Sequence, residues 1–280
     1  MINYNGKIQA QEAPHIGLEN RGLHYGDAVF ETIKVVGNKI LFAEPHYFRL
    51  MSAMRIMRMS IPMTFTPEFI YQEILDLTQA CSPAPAYRVK FLVWRSWGGG
   101  YEPTAEEVSY MIQCTPLQAS DYGFDSHRPY TVELFKDHYM ASGLLSNVKT
   151  NNRAINVLGS IYAKENGFDN CLLLNEQKQV IEALNGNLFL VKGYTVKTPP
   201  LADGCLKGII RGALLELLAQ HPDYILEEAS ISPFELQRAD ELFITNAVIG
   251  LQPISQFRKK QFRTVVGQEL LSLLQAKALS

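Results

Sequence analysis

Ser146-Asn147-Val148-Lys149-Thr150-Asn151-Asn152-Arg153 carries one lysine just ahead of a run in which Ile155, Leu158, Ile161 and Tyr162 recur at helical spacing. That spacing predicts a helix, because residues three and four apart share one face. Asn151 or Asn152 is placed to cap it, since a short amide side chain accepts bonds from first-turn N–H groups, and Asn166-Gly167 is placed to end it. Lys149 therefore falls outside the helix, on the segment feeding it, where a long amine can reach a pocket. Alone it is one of fourteen lysines, most of which are expected to be solvated surface charges. Its role depends on what the rest of the chain supplies.

Downstream, residues 171–174, 180–182, 188–191 and 194–197 are short apolar runs separated by turn formers, which predicts an antiparallel patch ended by Pro199-Pro200. Residues 204–212 then lead into a helix carrying Leu214, Leu215, Leu217 and Leu218. A glycine ahead of a helix lets the backbone approach an anion, whose charge the free N–H groups and the helix dipole stabilise, although an ordinary helix entry is the commoner use of such a glycine. Residues 242–248 read as a further strand, and a closing helix begins near Val265.

Upstream, residues 20–32 place two glycines around His24-Tyr25, which alone reads as a tight turn with core aromatics. Residues 32–36 and 39–42 alternate about Gly37-Asn38, a hairpin signal. Glu44-Pro45 opens a helix whose Met51, Met54, Met57 and Met59 read as core. Arg49 and Arg55 lie on this largely apolar segment, and a buried arginine needs a partner, which directs attention to an anion. A second helix is predicted over 67–80, with Phe69, Ile70, Ile74, Leu75 and Leu77 inward, then a strand over 88–95 with cations at Arg88, Lys90 and Arg95. The glycine loop over 96–103 suits substrate contacts or a solvated turn, and lacks the context of a nucleotide fingerprint. Turn formers before Tyr130 mark a linker at 116–128, separating an N-terminal domain, 1–115, from a C-terminal domain, 129–280, that carries Lys149.

A 280-residue chain, 47% hydrophobic and with net charge −2, is an ordinary globular protein with no charge-based reason to bind nucleic acid or an anionic membrane. Cys81, Cys114, Cys171 and Cys205 are widely spaced and fit four reduced thiols better than a zinc site or a disulfide framework. Neither a signal peptide nor an apolar run long enough to span a bilayer is read, so a cytoplasmic location is expected.

Several stretches together resemble the class-IV, fold-type-IV pyridoxal-phosphate enzymes, which include branched-chain and D-amino-acid aminotransferases and aminodeoxychorismate lyases. They are Arg21-Gly22…Tyr25-Gly26-Asp27…Phe30-Glu31, His46…Arg49-Leu50, Lys149…Asn152, Val180-Ile181-Glu182…Asn187-Leu188-Phe189, Thr198-Pro199, Leu206…Gly208-Ile209…Arg211 and Ala239-Asp240-Glu241…Phe243. The order is the family's and nearly the whole chain is covered. The resemblance implies a two-domain α/β (α+β) subunit of the D-amino-acid aminotransferase type, a homodimer, and active sites at the domain interface near the dimer contact. It implies pyridoxal 5'-phosphate held on Lys149 as a Schiff base, with Lys149 also moving the proton at the substrate Cα. Glu182 would keep the pyridine nitrogen protonated. Arg49 would clamp the phosphate with the N–H groups of Ile209 and Ile210 and those near Asn246 and Ala247, and Leu206 would pack on the ring.

Certain positions depart from the pattern. Asn20 stands where many relatives carry aspartate, and Ile210 and Ala247 lack hydroxyls that aminotransferases often offer the phosphate, so main-chain contacts must serve. Asn246-Ala247 and the glycine loop look closer to the lyases, yet the arginine often seen within that loop is absent. The expected reaction leans toward the lyase, giving 4-aminobenzoate and pyruvate. The alternative is a branched-chain or D-amino-acid transaminase with 2-oxoglutarate as acceptor, and a non-catalytic cofactor-binding protein is a remote third. Tyr25, Lys90, Arg95 and Asn246 are the candidates for contact with a small amino substrate.

Overall fold

Period-two patterning governs the first part of the chain. In the computed structural model, which describes residues 1–12 and 16–279, β1 (Ile2–Tyr4) and β2 (Lys7–Gln9) are followed by a short helix, α1 (Arg21–Tyr25), and by β3 (Ala28–Val36) and β4 (Lys39–Ile40). Two helices, α2 (Ala43–Ile56) and α3 (Pro67–Ala80), precede β5 (Ala86–Arg95) and β6 (Val108–Leu117). The six strands form one antiparallel sheet in the order β2-β1-β6-β5-β3-β4. Val29, Ile33 and Val35 of β3 and Val89, Phe91 and Val93 of β5 are all buried on one face, onto which α2 and α3 pack through Leu50, Ile70 and Ile74. Met51, Met54 and Met59 are core, as their spacing predicts, whereas Arg55 is exposed and only Arg49 of the two arginines is drawn inward.

Two of the four cysteines are neighbours in space. Cys81 ends α3 and lies against Cys114 of β6, because that helix packs on that strand. Cys171 and Cys205 are free and buried.

Contacts divide the chain into two units, residues 1–120 with 149–152, and residues 121–148 with 153–280. The second unit is built on β7 (Thr131–Leu134), helix α4 (Ala154–Glu165), β8 (Asn170–Leu174), β9 (Val180–Ala183), β10 (Gly186–Lys192) and β11 (Thr195–Thr198). After them come α5 (Ile209–Ala219), β12 (Ile225–Glu228), α6 (Pro233–Arg238), β13 (Glu241–Asn246), β14 (Gly250–Ile254), β15 (Gln256–Phe257), β16 (Lys260–Gln261) and α7 (Val265–Leu279). The antiparallel patch spans β8 to β11 and continues from β10 into β13 and β14, while β7 with β8, β7 with β15 and β11 with β12 are parallel pairs. Alternation sends Leu172, Leu174, Val180, Leu188, Leu242 and Ile244 into one core. Cys171, Leu173 and Ile181 enter another with Phe135 and Ala163.

Helix α4 departs from its sequence reading in two respects. Its N-cap is Arg153, with no side-chain capping bond, and the Asn152 amide instead donates to the Gly26 carbonyl at 3.2 Å. The physical reason is that residues 149–152 are drawn along the edge of β3, which also assigns Lys149 by contact to the first unit and not to the C-terminal one. Leu158 and Ile161 are exposed beside Val157, whereas Ile155, Tyr162 and Ala163 make the packing face. Among the described residues no helix is long and apolar enough to cross a membrane, and no cluster of three or more acidic, histidine or cysteine residues could hold a metal ion.

Candidate active site

In the first unit, Lys149 is positioned by backbone. Its carbonyl accepts from Phe30 N at 2.9 Å, Thr150 bridges Val29, and Asn151 N donates to the Ala28 carbonyl at 2.9 Å. The lysine Nζ lies 4.5 Å from the centroid of the Phe30 ring, a cation–π distance. Gly26 ends α1 in the left-handed region at φ 63°, and a Cβ there would collide with Asn152, so glycine permits the approach of the lysine segment.

Beside this lies a charge cluster. Arg49 Nε donates to Glu31 Oε1 at 2.7 Å and Nη2 donates to Oε2 at 2.5 Å, while His46 Nδ1 is 2.7 Å from Oε2. Burial alone would raise the Glu31 carboxyl, but the Arg49 charge and the bonds from His46 and Arg49 outweigh it and hold the group at about 2. Burial and the charges of Arg49 and Lys149 depress His46 against the opposing pull of Glu31, so its imidazole is neutral near pH 7. Its Nε2 is buried with no hydrogen-bond partner. Glu31 belongs to one of the motifs that carry the family resemblance, which by itself assigns it no role. A local signal points to it nonetheless, because alternation places it on the apolar face with Val29, Ile33 and Val35, where a carboxylate must be paired.

In the second unit, Glu182 on β9 is 4% exposed and its Oε2 accepts from Leu206 N at 2.9 Å. Asn187 of β10 donates to the Leu206 carbonyl at 2.8 Å, and Asn147 donates to the carbonyls of Leu201 at 2.9 Å and Cys205 at 2.6 Å. Leu206 is thus fixed on both sides of its peptide. Immediately after it, Gly208 is the N-cap of α5 and supplies no side-chain cap. A Cβ at 208 would run into Asn187, so glycine is required by space, and the first-turn N–H groups of Ile209 and Ile210 point out of the helix end without a side-chain cap. Buried Thr245 Oγ1, on the strand paired with Asn187, has no partner.

The predicted substrate contacts fare differently. Lys90, half-buried, lies 5.0 Å from the same Phe30 ring as Lys149, and burial followed by the Arg88 charge lowers its pKa. Tyr25 is exposed on α1. Arg95 is corrected to an internal brace: it is 5% exposed, and it donates to Asp27 at 2.9 Å and to the carbonyls of Arg58 at 3.1 Å and Met57 at 2.7 Å. Asn246 spends its side chain on its own turn, accepting from Val248 N at 3.0 Å and Ile249 N at 3.1 Å and donating to Asn185 at 3.1 Å. The Ala247 carbonyl accepts from Tyr122 at 3.3 Å.

The amino-transferase class IV family model matches residues 28–257, most of the chain. The chain belongs to that family. Relatives of this class IV enzyme include a protein of Methanocaldococcus jannaschii assigned to the branched-chain-amino-acid aminotransferases, 29% identical over 90% of this chain and 86% of its own. Another is the aminodeoxychorismate lyase of Vibrio harveyi, 26% identical over 86% of this chain and 87% of its own. In fold, the class IV chain resembles the branched-chain aminotransferase of Thermoproteus uzoniensis solved with norvaline, at TM-score 0.86 and 20% identity, covering 98% of this chain and 92% of that one. The two-domain-type α/β architecture and dependence on pyridoxal phosphate expected from sequence therefore stand, and a further branched-chain aminotransferase of this fold has been solved with pyridoxamine 5'-phosphate. The lean toward the lyase is not favoured by these relatives: most of them are branched-chain aminotransferases, with aminodeoxychorismate lyases also present. Within the second unit, a buried carboxylate bonded to the Leu206 N–H, a helix N-terminus without a side-chain cap and a threonine hydroxyl without a partner have the chemistry to receive an anionic aromatic group; within the first, Lys149 is partly exposed.

Proposed function

We propose that this enzyme is an aminotransferase moving the amino group of a small apolar amino acid to a 2-oxo acid, with 2-oxoglutarate as the acceptor. The observation that carries this reading is the similarity to the Methanocaldococcus protein along nine-tenths of the chain. When bound, pyridoxal phosphate supplies the electron sink that stabilises negative charge at the substrate Cα. Lys149 would have two tasks, holding the cofactor through its Nζ amine and taking and returning the proton at the substrate Cα. Glu182, held in place by Leu206 N, is assigned to keep the pyridine nitrogen protonated. Arg49, oriented by two bonds to Glu31, and the N–H groups of Ile209 and Ile210 are assigned to the phosphate, and Leu206 to the ring face. The turn of Asn246 and Ala247 contributes main-chain groups.

The reading is tested by assaying the purified protein with L- and D-amino acids plus 2-oxoglutarate, beside aminodeoxychorismate. Release of 4-aminobenzoate and pyruvate without amino transfer would replace it with the lyase reading, which the Vibrio relative supports. The protein should be yellow, and borohydride should bleach the band while tagging Lys149. A homodimer belongs to the same proposal: exposed Leu144, Leu145, Val157, Leu158 and Ile161 offer the second unit an apolar surface for a second copy. Light scattering showing a monomer at micromolar concentration would remove that part.

A further inference from the structure

The stretch expected to be a plain linker carries a buried tyrosine. Tyr122 lies outside any helix or strand, is 6% exposed and belongs by contact to the second unit. Its N–H donates to Gln275 Oε1 of α7 at 2.7 Å, and its hydroxyl donates to the Ala247 carbonyl at 3.3 Å. Its side chain lies so close to Gly250 that a Cβ there would be 2.6 Å from Tyr122 Cγ, and Gly250 has φ 75°, so glycine is required both for room and for the backbone. Burial pushes the phenol well above its ordinary pKa, so the hydroxyl remains a donor at neutral pH.

Ala247 and Gly250 belong to the hairpin that joins β13 to β14, where Asn246 faces Gly250 and Thr245 faces Leu251. Thr245 pairs in turn with Asn187, and Asn187 with Glu182, so the turn starts one residue past the row of the sheet that carries the buried carboxylate. The peptide between Ala247 and Val248 is held at both ends: its carbonyl accepts from Tyr122, and its N–H donates to Asn246 Oδ1 at 3.0 Å. A planar trans peptide points these two groups in opposite directions, so the two bonds together fix its orientation and that of the peptides beside it. Val248 N and Ile249 N are both bonded to Asn246, and the N–H assigned to the phosphate in this turn is that of Ala247.

We propose that Tyr122 is a positioning residue for the cofactor phosphate: through Ala247 and Gly250 it holds the 246–250 turn in the one orientation whose main-chain donor receives the anion. The proposal rests on the reading of that turn as part of the phosphate site. Tyr122 acts through the turn, so its loss weakens the hold on the phosphate and not on the rest of the cofactor. Tyr122→Phe removes the bond to Ala247 and keeps the ring on Gly250, whereas Tyr122→Ala removes both.

The test uses the full-length protein and these two variants, each stripped of cofactor and titrated with pyridoxal 5'-phosphate and with pyridoxal, which carries the same aldehyde without the phosphate. In Tyr122→Phe the affinity for pyridoxal phosphate should fall about fivefold, the scale of one hydrogen bond, and further in Tyr122→Ala, while that for pyridoxal changes little. Hydrogen exchange at the amides of residues 247–250 should be faster in both. A role confined to anchoring the linker would lower the urea midpoint and leave the preference for the phosphate ester as it is in the parent. An unaltered preference in the variants, with or without faster exchange, therefore overturns the proposal, as does an equal loss for both compounds. Should Tyr122→Ala fail to fold, Tyr122→Phe decides by the same criterion. A parent protein that binds neither compound overturns the cofactor reading and this proposal together, a result distinct from an unaltered preference in the variants alone.

Discussion

The two units place a buried carboxylate in opposite settings. Glu31 in the first unit is held by side chains, the Arg49 guanidinium and the His46 imidazole, at 2.7 Å or closer. Glu182 in the second accepts from a backbone N–H, beside a helix end that offers further N–H groups and no side-chain cap. The difference shows two ways of fixing charge. Side-chain partners orient one another and respond to pH, whereas main-chain donors are set by the fold and do not titrate.

The largest expected effect is at Lys149, on which the chemistry proposed for both settings depends. Lys149→Ala should lower kcat by about 10⁴-fold, the upper range for a positioned proton-transfer group, and full activity would end its assignment. Glu31→Gln comes next. It strands the Arg49 charge in a buried site, which costs about 3–5 kcal/mol of stability, read as a lower urea midpoint; an unchanged midpoint would show that the cluster does not hold the first unit together. Glu182→Gln should reduce kcat by about 10²-fold, as for loss of one preorganised electrostatic partner, while leaving cofactor affinity nearly intact. A parallel loss of cofactor would make Glu182 a binding group only.

The smallest effect separates the settings by pH. Glu31 is depressed from 4.5 to about 2, so its stabilisation is complete above about 4.5 and is lost as pH falls toward 2. His46 is depressed from 6.5, so the unfolded chain takes up a proton the folded chain refuses, and stability begins to decline below about 6.5. Urea midpoints measured from pH 7 to 4 should slope downward in the parent protein and less steeply in His46→Gln. Identical slopes would remove His46 from the linkage.

Most strands and helices are legible in the sequence because alternation and helical spacing report which faces are buried; α3, predicted over 67–80, is found as Pro67–Ala80. The reading fails where a segment's partner lies far along the chain. Asn152 reads as a helix cap, but its amide binds Gly26, 126 residues away, because pairing with β3 sets the course of residues 149–152. Arg95 reads as a substrate contact because its charge is visible in sequence and the two carbonyls that consume it, those of Met57 and Arg58, are not.

By itself, the sequence determined most of the elements and the buried faces of their strands, and it singled out Lys149, Glu182 and Arg49 as candidates, since side-chain type, motif and local period are all written in it. Tertiary structure alone decided that Glu31 holds Arg49, that Leu206 N meets Glu182, and that Arg21 grips the carbonyls of residues 98–101. The physical reason is that every residue but proline carries the same N–H and C=O groups, so which of them converge on a side chain is settled only when the chain has folded.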